Sequence, residues 1–409
     1  MAKEFKDLIV GLDIGTAKIM VVVAEVLPGG DLRLAGLGGA PSNGLKRGVV
    51  VNIDATVSSI QQALKEAELM ADCKIGRVYT GITGSHIRGI NSSGMVAVRS
   101  KEVSPADVMH VVETAKAINI SSDQRLLLVE PQEFIIDGQD VREPVGMSGM
   151  RLEAKVHIVT GAQSAAENIV KCVRRCGLEV DQLLLNPLAS SHAVLTDDER
   201  ELGVVCVDIG AGTTDVAIFT GGSIRHTAVV PIAGDLITSD IAMALRTPTM
   251  DAEDIKVAHG CAKQLLADPD TQVEVPGLGD RTPRMLSKQA LAGVIEPRVE
   301  EIFSLVQQVV RESGFEEILS SGVVLTGGSS VMPGMIELGE DIFLKPVRRG
   351  VPKYSRALSD MVAQPRAATV MGLLEEARLA RLRGFKAAQK TSGVKSAFGR
   401  FKEFIVGNF

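Results

Sequence analysis

Two rhythms of apolar and polar positions alternate along this chain. Short, nearly continuous apolar runs mark strands buried on both faces. The clearest lie at 204–207 and 216–220, on either side of a glycine-rich break; further strands are read at 8–12, 19–26 and 32–37, an antiparallel set, and at 77–83 and 178–185. Between them lie stretches with apolar residues at helical spacing. Val57, Ile60, Leu64 and Ala67 form one stripe behind Asp54 as N-cap, and Ile169, Val170, Val173 and Cys176 form another, closed by Gly177. Ile237, Ile241 and Leu245 follow a Gly234 turn, and a long helical pattern runs from a Ser287 cap to about residue 313, closed by Gly314. The helix predicted at 188–195 follows the Asn186-Pro187 stop. A later one over 365–377 carries Ala367, Ala368, Val370, Met371 and Leu374, with Gly372 suited to a close helix crossing.

From about residue 86 to 160 the texture changes to short alternating pieces (95–98, 126–131, 133–136, 152–158). They surround one helix that opens at Ser104-Pro105 with Val108, Val111, Val112 and Ala115 on its face. This reads as an α+β insertion in an α/β framework. Residues 247–287, with a Pro- and Gly-rich stretch at 275–283, read as a small, partly irregular subdomain.

The glycine-rich break is the most informative local feature. Asp208-Ile-Gly210-Ala-Gly212-Thr213-Thr214-Asp215 joins two apolar strands, and Asp13-Ile-Gly15-Thr16-Ala-Lys18 near the N-terminus repeats the design. Small residues at such bends let backbone N–H groups approach an anion without a Cβ in the way. Asp208 and Asp215 would repel a bare phosphate. They make sense if Mg²⁺, which prefers a few carboxylates and several waters, stands between protein and phosphate. The alternative is a plain β-hairpin with a glycine-rich turn; the second copy argues for two related halves sharing one cleft. Lys18 adds positive charge there, and a third glycine turn at Gly327-Gly328-Ser329 has room for a flat group such as a nucleoside.

Composition narrows the classes. At 409 residues, 45% hydrophobic and 23% charged, the chain supports several cores. A net charge of −6, 3% aromatic residues and no Trp argue against nucleic acid as a partner. Five Cys form no paired framework, so a reducing compartment is expected. The first residues lack the pattern of a signal peptide, and no run reaches the length that spans a bilayer.

Three such motifs in this order resemble the actin, Hsp70 and sugar-kinase superfamily of ATP-binding proteins. The stretches at 67–73, 144–160, 176–183, 188–203 and 249–262 narrow the likeness to FtsA, the bacterial cell-division actin homologues. The resemblance implies a two-lobed actin-like ATPase fold, with duplicated ribonuclease-H-like halves, an α+β insertion and a C-terminal amphipathic helix. Its halves would be 1–85 plus 161–195, and 196–235 plus 315–383. The insertion (86–160) would contact neighbouring subunits and later division proteins. Residues 236–314 would flank the nucleotide and bind the C-terminal tail of the tubulin homologue FtsZ.

It also implies roles for single residues. ATP would lie between the halves, its phosphates held by Gly15, Thr16, Lys18, Gly210, Gly212, Thr213 and Thr214, with Gly234 close by and Gly327, Gly328 and Ser329 near the nucleoside. Asp13, Asp208 and Asp215 would hold Mg²⁺ through water. The helix carrying Glu296, Arg298 and Glu300 would pass the adenine; its bland reading is a solvated charged face. Fast ATPases of the superfamily place Glu or Gln where this chain has Asn186, so hydrolysis is expected to be slow. Asn186 and Asp215 are the two residues placed to orient water or metal. A small-molecule kinase of this fold would need a substrate pocket with a base, and an Hsp70-like chaperone would need a further substrate domain.

The end of the chain reverses the charge balance. Residues 377–402 hold eight Lys or Arg and no acidic residue; 384–393 have flexible-linker composition. In 394–409, Val394, Phe398, Phe401, Phe404 and Ile405 share one helical stripe. A helix of ~12 residues spans ~18 Å, too short to cross a bilayer but able to lie among its headgroups. Docking on the protein's own body or on a partner is the competing reading. The likeness thus implies a self-assembling adaptor on the cytoplasmic face of the inner membrane, at the septum.

Overall fold

The computed structural model describes residues 7–279, 281–353 and 361–390, with backbone alone from 383. The first half opens with β1 (Leu8–Ile14), β2 (Lys18–Val26) and β3 (Leu32–Pro41), an antiparallel meander in which β1 and β2 are buried almost throughout. A two-rung ladder, β4 (Leu45–Lys46) and β5 (Val49–Val50), leads to α1 (Ile53–Ala71) and β6 (Arg77–Ile82). All three β1–β3 strands run longer than the apolar runs alone mark. Asn52, not Asp54, is the N-cap of α1: its Oδ1 accepts from the Ala55 N–H at 3.0 Å. Asp54 instead sits in the first turn, where the helix dipole favours an acid. The stripe Val57, Ile60, Leu64 and Ala67 is buried.

Residues 88–162 build a separate four-stranded sheet. Its strands are β7 (Arg88–Ala97), β8 (Gln124–Ile136), β9 (Gln139–Val141) and β10 (Arg151–Ala162), in the order β7-β10-β8-β9, with α2 (Pro105–Lys116) packed on one face. Ser104 and Asp107 close α2 with a reciprocal capping box. The two pieces read at 126–131 and 133–136 are one strand. Its break is a bulge: Val156 pairs with Pro131 and Lys155 with Glu133, leaving Gln132 unopposed.

The chain then completes the first half with α3 (Gln163–Arg175), β11 (Glu179–Leu185) and α4 (Asn186–Val194), where Asn186 and Pro187 begin the helix. The second half comprises α5 (Asp197–Leu202), β12 (Val204–Ile209), β13 (Thr214–Thr220), β14 (Ser223–Val230), α6 (Gly234–Leu245), α7 (Thr249–His259), the β15 (Gln272–Val275) and β16 (Arg284–Ser287) hairpin, α8 (Lys288–Ser313), β17 (Val323–Thr326), α9 (Met335–Phe343) and β18 (Val347–Arg349). The cap at Ser287 and the stop at Gly314 of α8 stand as read. The helix α7 lies in the stretch read as irregular, and its weak amphipathic pattern explains the omission.

The duplication is visible in topology. The first sheet is ordered β11-β6-β1-β2-β3 and the second β18-β17-β12-β13-β14, each with two antiparallel and two parallel pairings in the same places. Between the sheets lies an apolar layer formed by α4 and α10 (Ala368–Lys390) with Ile9, Val22, Val204 and Ala217. The two connecting helices cross with almost no gap: a Cβ on Gly372 would lie 1.7 Å from the Ala189 carbonyl oxygen. Helix α10 continues to Lys390, past the start of the linker expected at 384, because Ala, Leu, Arg and Lys favour helix. The stripe Val394, Phe398, Phe401, Phe404 and Ile405 lies outside the described residues.

Candidate nucleotide site between the halves

Each half contributes a tight turn to one cleft. The β1–β2 turn (15–18) closes with the Gly15 N–H donating to the Lys18 carbonyl at 3.0 Å; the β12–β13 turn (210–213) closes with Gly210 donating to Thr213 at 2.9 Å. The turns meet. A Cβ on Gly212 would come within 2.6 Å of Thr16 Oγ1 and 2.9 Å of Arg47 Cα, so only glycine fits where the halves touch. Thr16 Oγ1 also accepts from the Gly48 N–H at 3.0 Å, tying the β4–β5 ladder to the first turn.

The cleft has a volume of about 440 Å³ and is lined by Asp13, Gly15, Thr16, Lys18, Asn186, Asp208, Gly210, Gly212, Thr213, Asp215 and Gly327 through Ser329. Thr214 and Gly234 do not open onto it. The Thr214 hydroxyl turns away and donates to the Ile232 carbonyl at 2.7 Å. Gly234 starts α6 directly behind the second turn, where its N–H donates to the Gly210 carbonyl at 3.2 Å and a Cβ would strike Ser329 Oγ at 2.5 Å. Helix α8 does not reach the cleft: Glu296 accepts from the Gln264 N–H and Arg298 pairs with Asp240. The wall there is α7, through Glu253, Lys256 and Val257.

The acidic side chains are costly to keep without a cation. Asp13 and Asp208 come from equivalent strands of different halves, and both are buried. Burial raises Asp13, with Lys18 working against it. Burial and the neighbouring Asp13 push Asp208 up to about 6, although Thr369 donates to it at 3.2 Å. Asp215 is pushed up to about 8, by burial and then by Asp208, while Thr83 Oγ1 donates to it at 2.6 Å. Burial lowers Lys18, whose ammonium donates to the Arg366 carbonyl. Among the described residues no three His, Cys, Asp or Glu side chains converge as direct ligands of one metal ion. The donor set therefore suits an ion that keeps its waters. Asn186 presents a buried carbonyl oxygen with no hydrogen-bond partner.

Sequence reasoning missed Thr83, Lys256 and Thr369. Lys256 is buried, donating to the Gly234 carbonyl at 3.1 Å and to Thr238 Oγ1 at 2.8 Å. A lysine on the buried side of a short helix was its only signal. Thr83 and Thr369 had none, because long-range folding alone brings them to the carboxylates.

Comparison with known proteins agrees with this architecture. Residues 205–372 match the family model described as Cell division protein FtsA, and residues 84–160 match that of the SHS2 domain inserted in FTSA. The Cell division protein FtsA of Pseudomonas aeruginosa is 53% identical over 409 residues, covering 98% of each chain. That of Escherichia coli strain K12 is 45% identical over 414 residues, covering 99% of each. Among solved structures, the PilM-PilN type IV pilus biogenesis complex superimposes with a TM-score of 0.66 at 18% identity, over 90% of this chain and 98% of that one. MreB 5 of Spiroplasma citri bound to AMPPNP gives 0.57 at 13%, over 93% and 99%. These structural likenesses establish the actin-like fold; the sequence relatives go further, and the chain belongs to the FtsA family of cell-division proteins.

Proposed function

We propose that this chain binds ATP with Mg²⁺ between its halves, assembles into actin-like polymers and anchors the FtsZ ring to the cytoplasmic face of the inner membrane at the division septum. The observation that carries the nucleotide reading is the sharing of one cleft by Asp13 and Asp208, with a glycine turn from each half beside them. Lys18 and the turn amides of Thr16, Gly212 and Thr213 are suited to phosphate oxygens, whereas the Gly15 and Gly210 N–H groups close the turns and leave a bare backbone surface against the ligand. Asp13, Asp208 and Asp215 would hold Mg²⁺ through water; the ion would supply the positive charge that three buried carboxylates and a polyphosphate both require. Gly327, Gly328 and Ser329 would lie beside the nucleoside, facing α7 across the cleft.

Asn186 is a neutral amide where an effective hydrolase needs a group that orients water. Phosphoryl transfer depends mainly on positioning, so turnover is slow and nucleotide acts as an assembly ligand. Lobes at 1–85 plus 161–195 and at 196–235 plus 315–383 frame the cleft. The insertion at 86–160 serves neighbouring subunits and later division proteins, and the 236–314 subdomain serves the FtsZ tail. No helix among the described residues is long and apolar enough to cross a membrane. A basic 384–393 segment followed by Val394, Phe398, Phe401, Phe404 and Ile405 would lie in the headgroup plane. One copy binds weakly and reversibly; a polymer gains avidity.

Co-sedimentation with anionic phospholipid vesicles, with and without ATP and Mg²⁺, tests the adaptor reading. Wild type should pellet, more so with nucleotide, and Phe401→Asp should stay in the supernatant with unchanged ATP affinity. A Phe401→Asp protein that still pellets would refute the anchor.

A further inference from the structure

We propose that a polar latch between the insertion and the outer strand of the second half holds the cleft closed, so that releasing the insertion and opening the cleft are one event. The insertion is rooted in the first half: Ile87 and Val159 belong to that half's core, and Leu127 and Leu128 pack against it. Its polar contacts cross to the second half, chiefly to β14, the edge strand of the second sheet, with Arg142 pairing with Glu201 on α5 as well. The insertion is therefore a strap with an apolar root on one half and a mainly polar grip on the other, where Val229 of β14 adds one apolar contact to the same cluster.

The grip is made by two bulges that face each other. Gln132 is one of two residues of β8 left unopposed, Leu127 being the other, and Arg225 is the unopposed residue of β14, where Ile218 pairs with His226 and Phe219 with Ile224. Gln132 Nε2 donates to the carbonyls of Ile224 at 2.9 Å and Arg225 at 3.3 Å, and Asn91 Nδ2 donates to the same Arg225 carbonyl at 3.1 Å. Behind them His157 is fully buried, with Nδ1 2.7 Å from Asn91 Oδ1 and Nε2 2.9 Å from Thr227 Oγ1. Burial, with His226 nearby, pushes His157 down to about 3, so the ring is neutral. Asn91 Oδ1 only accepts, which places the ring proton on Nδ1 and leaves Nε2 to accept from the Thr227 hydroxyl. The Arg225 guanidinium completes the grip on Glu133 at 2.6 Å. Such a network is satisfied in one register only and gives way as a unit.

The gripped strand leads straight to the cleft. A few residues after Thr227, the Ile232 carbonyl accepts from Thr214, the first residue of β13, and Gly234 donates to Gly210 in the second turn. A rotation of the second half that parts the turns must pull β14 from the insertion. The polar end breaks before the apolar root. By reciprocity, a ligand that closes the cleft strengthens the latch, and a partner that pulls the insertion away weakens that ligand. The latch itself needs no ligand; that a nucleotide closes the cleft rests on the reading proposed above.

The test uses the full chain with spin labels, introduced as unnatural residues at Ala106 on α2 and Glu340 on α9, in wild type, Thr227→Val, Gln132→Ala and the hydroxyl-retaining Thr227→Ser. Without nucleotide, wild type and Thr227→Ser should give one narrow distance, and Thr227→Val and Gln132→Ala a broader, longer distribution. Affinity for ATP with Mg²⁺ should fall about three- to tenfold in the two latch variants, the scale of one lost buried hydrogen bond, and stay unchanged in Thr227→Ser. Unaltered distances in both latch variants would overturn the latch. Altered distances with unaltered affinity would overturn its coupling to the cleft. A wild type that binds no ATP would sink the nucleotide reading, and the distance measurement would still decide the latch.

Discussion

Asp208 and Asp215 stand opposite each other as register partners in the β12–β13 hairpin. Opposed residues of an antiparallel pair project to the same face, so the strand pairing itself forces two carboxylates together. In the first half the same position opposite Asp13 is Met20. The halves share a framework but are not equivalent: the second carries the extra acid.

That acid should weigh on the empty protein. Asp215 is raised to about 8, far above the ~3.9 of an unfolded aspartate. The native state therefore holds more protons than the unfolded state between about pH 4 and 8, and stability falls as pH rises through that window. Asp215→Asn removes the titration while its amide oxygen can still accept from Thr83. Differential scanning calorimetry without nucleotide should show a higher Tm for the variant at pH 8, by roughly 1 °C per kcal/mol regained, with a smaller gap at pH 5. Its affinity for ATP with Mg²⁺ should drop.

Gly212→Ala probes the contact between the turns. The added methyl has no room between Thr16 and the Arg47 backbone, so the halves must separate by a fraction of an ångström. The fold should survive, since neither sheet core is touched. Isothermal titration with ATP and Mg²⁺ should show affinity reduced by about ten- to a hundredfold, equivalent to ~1.4–2.8 kcal/mol.

Gly372→Ala separates stability from ligand binding in the opposite sense. Its Cβ would collide with the backbone of α4 at Ala189, and backbone cannot swing aside as a side chain does. Urea unfolding should show a loss of about 3 kcal/mol. A loss below ~1 kcal/mol would mean that the helices cross with more freedom than this packing allows.

Much of the architecture was legible because strong local signals agreed with the global fold. The two glycine turns, the cap at Ser104, the long helix closed by Gly314 and the small residues around Gly372 each have a local cause that survives folding. What was not legible depended on distant chain segments. Asn52 displaced Asp54 as cap because the choice is made by backbone geometry, which is still extended two residues earlier, at Asn52. The bulge at Gln132 looked like a gap between two strands. Thr214 and Gly234 sit in the right motif but behind the cleft wall, since a motif specifies which residues gather and not which way each side chain turns. Helix α7 replaced α8 beside the cleft for the same reason: periodicity locates a helix and says nothing of its neighbour.

A nucleotide held by both halves must depend on carboxylates from each. Equilibrium binding of a fluorescent ATP analogue, with and without Mg²⁺, to wild type, Asp13→Asn and Asp208→Asn measures this directly. Wild type should bind in a Mg²⁺-dependent manner, and each single substitution, though in a different half, should weaken binding at least tenfold (~1.4 kcal/mol). Wild-type affinity retained by either variant would contradict a site shared across the cleft.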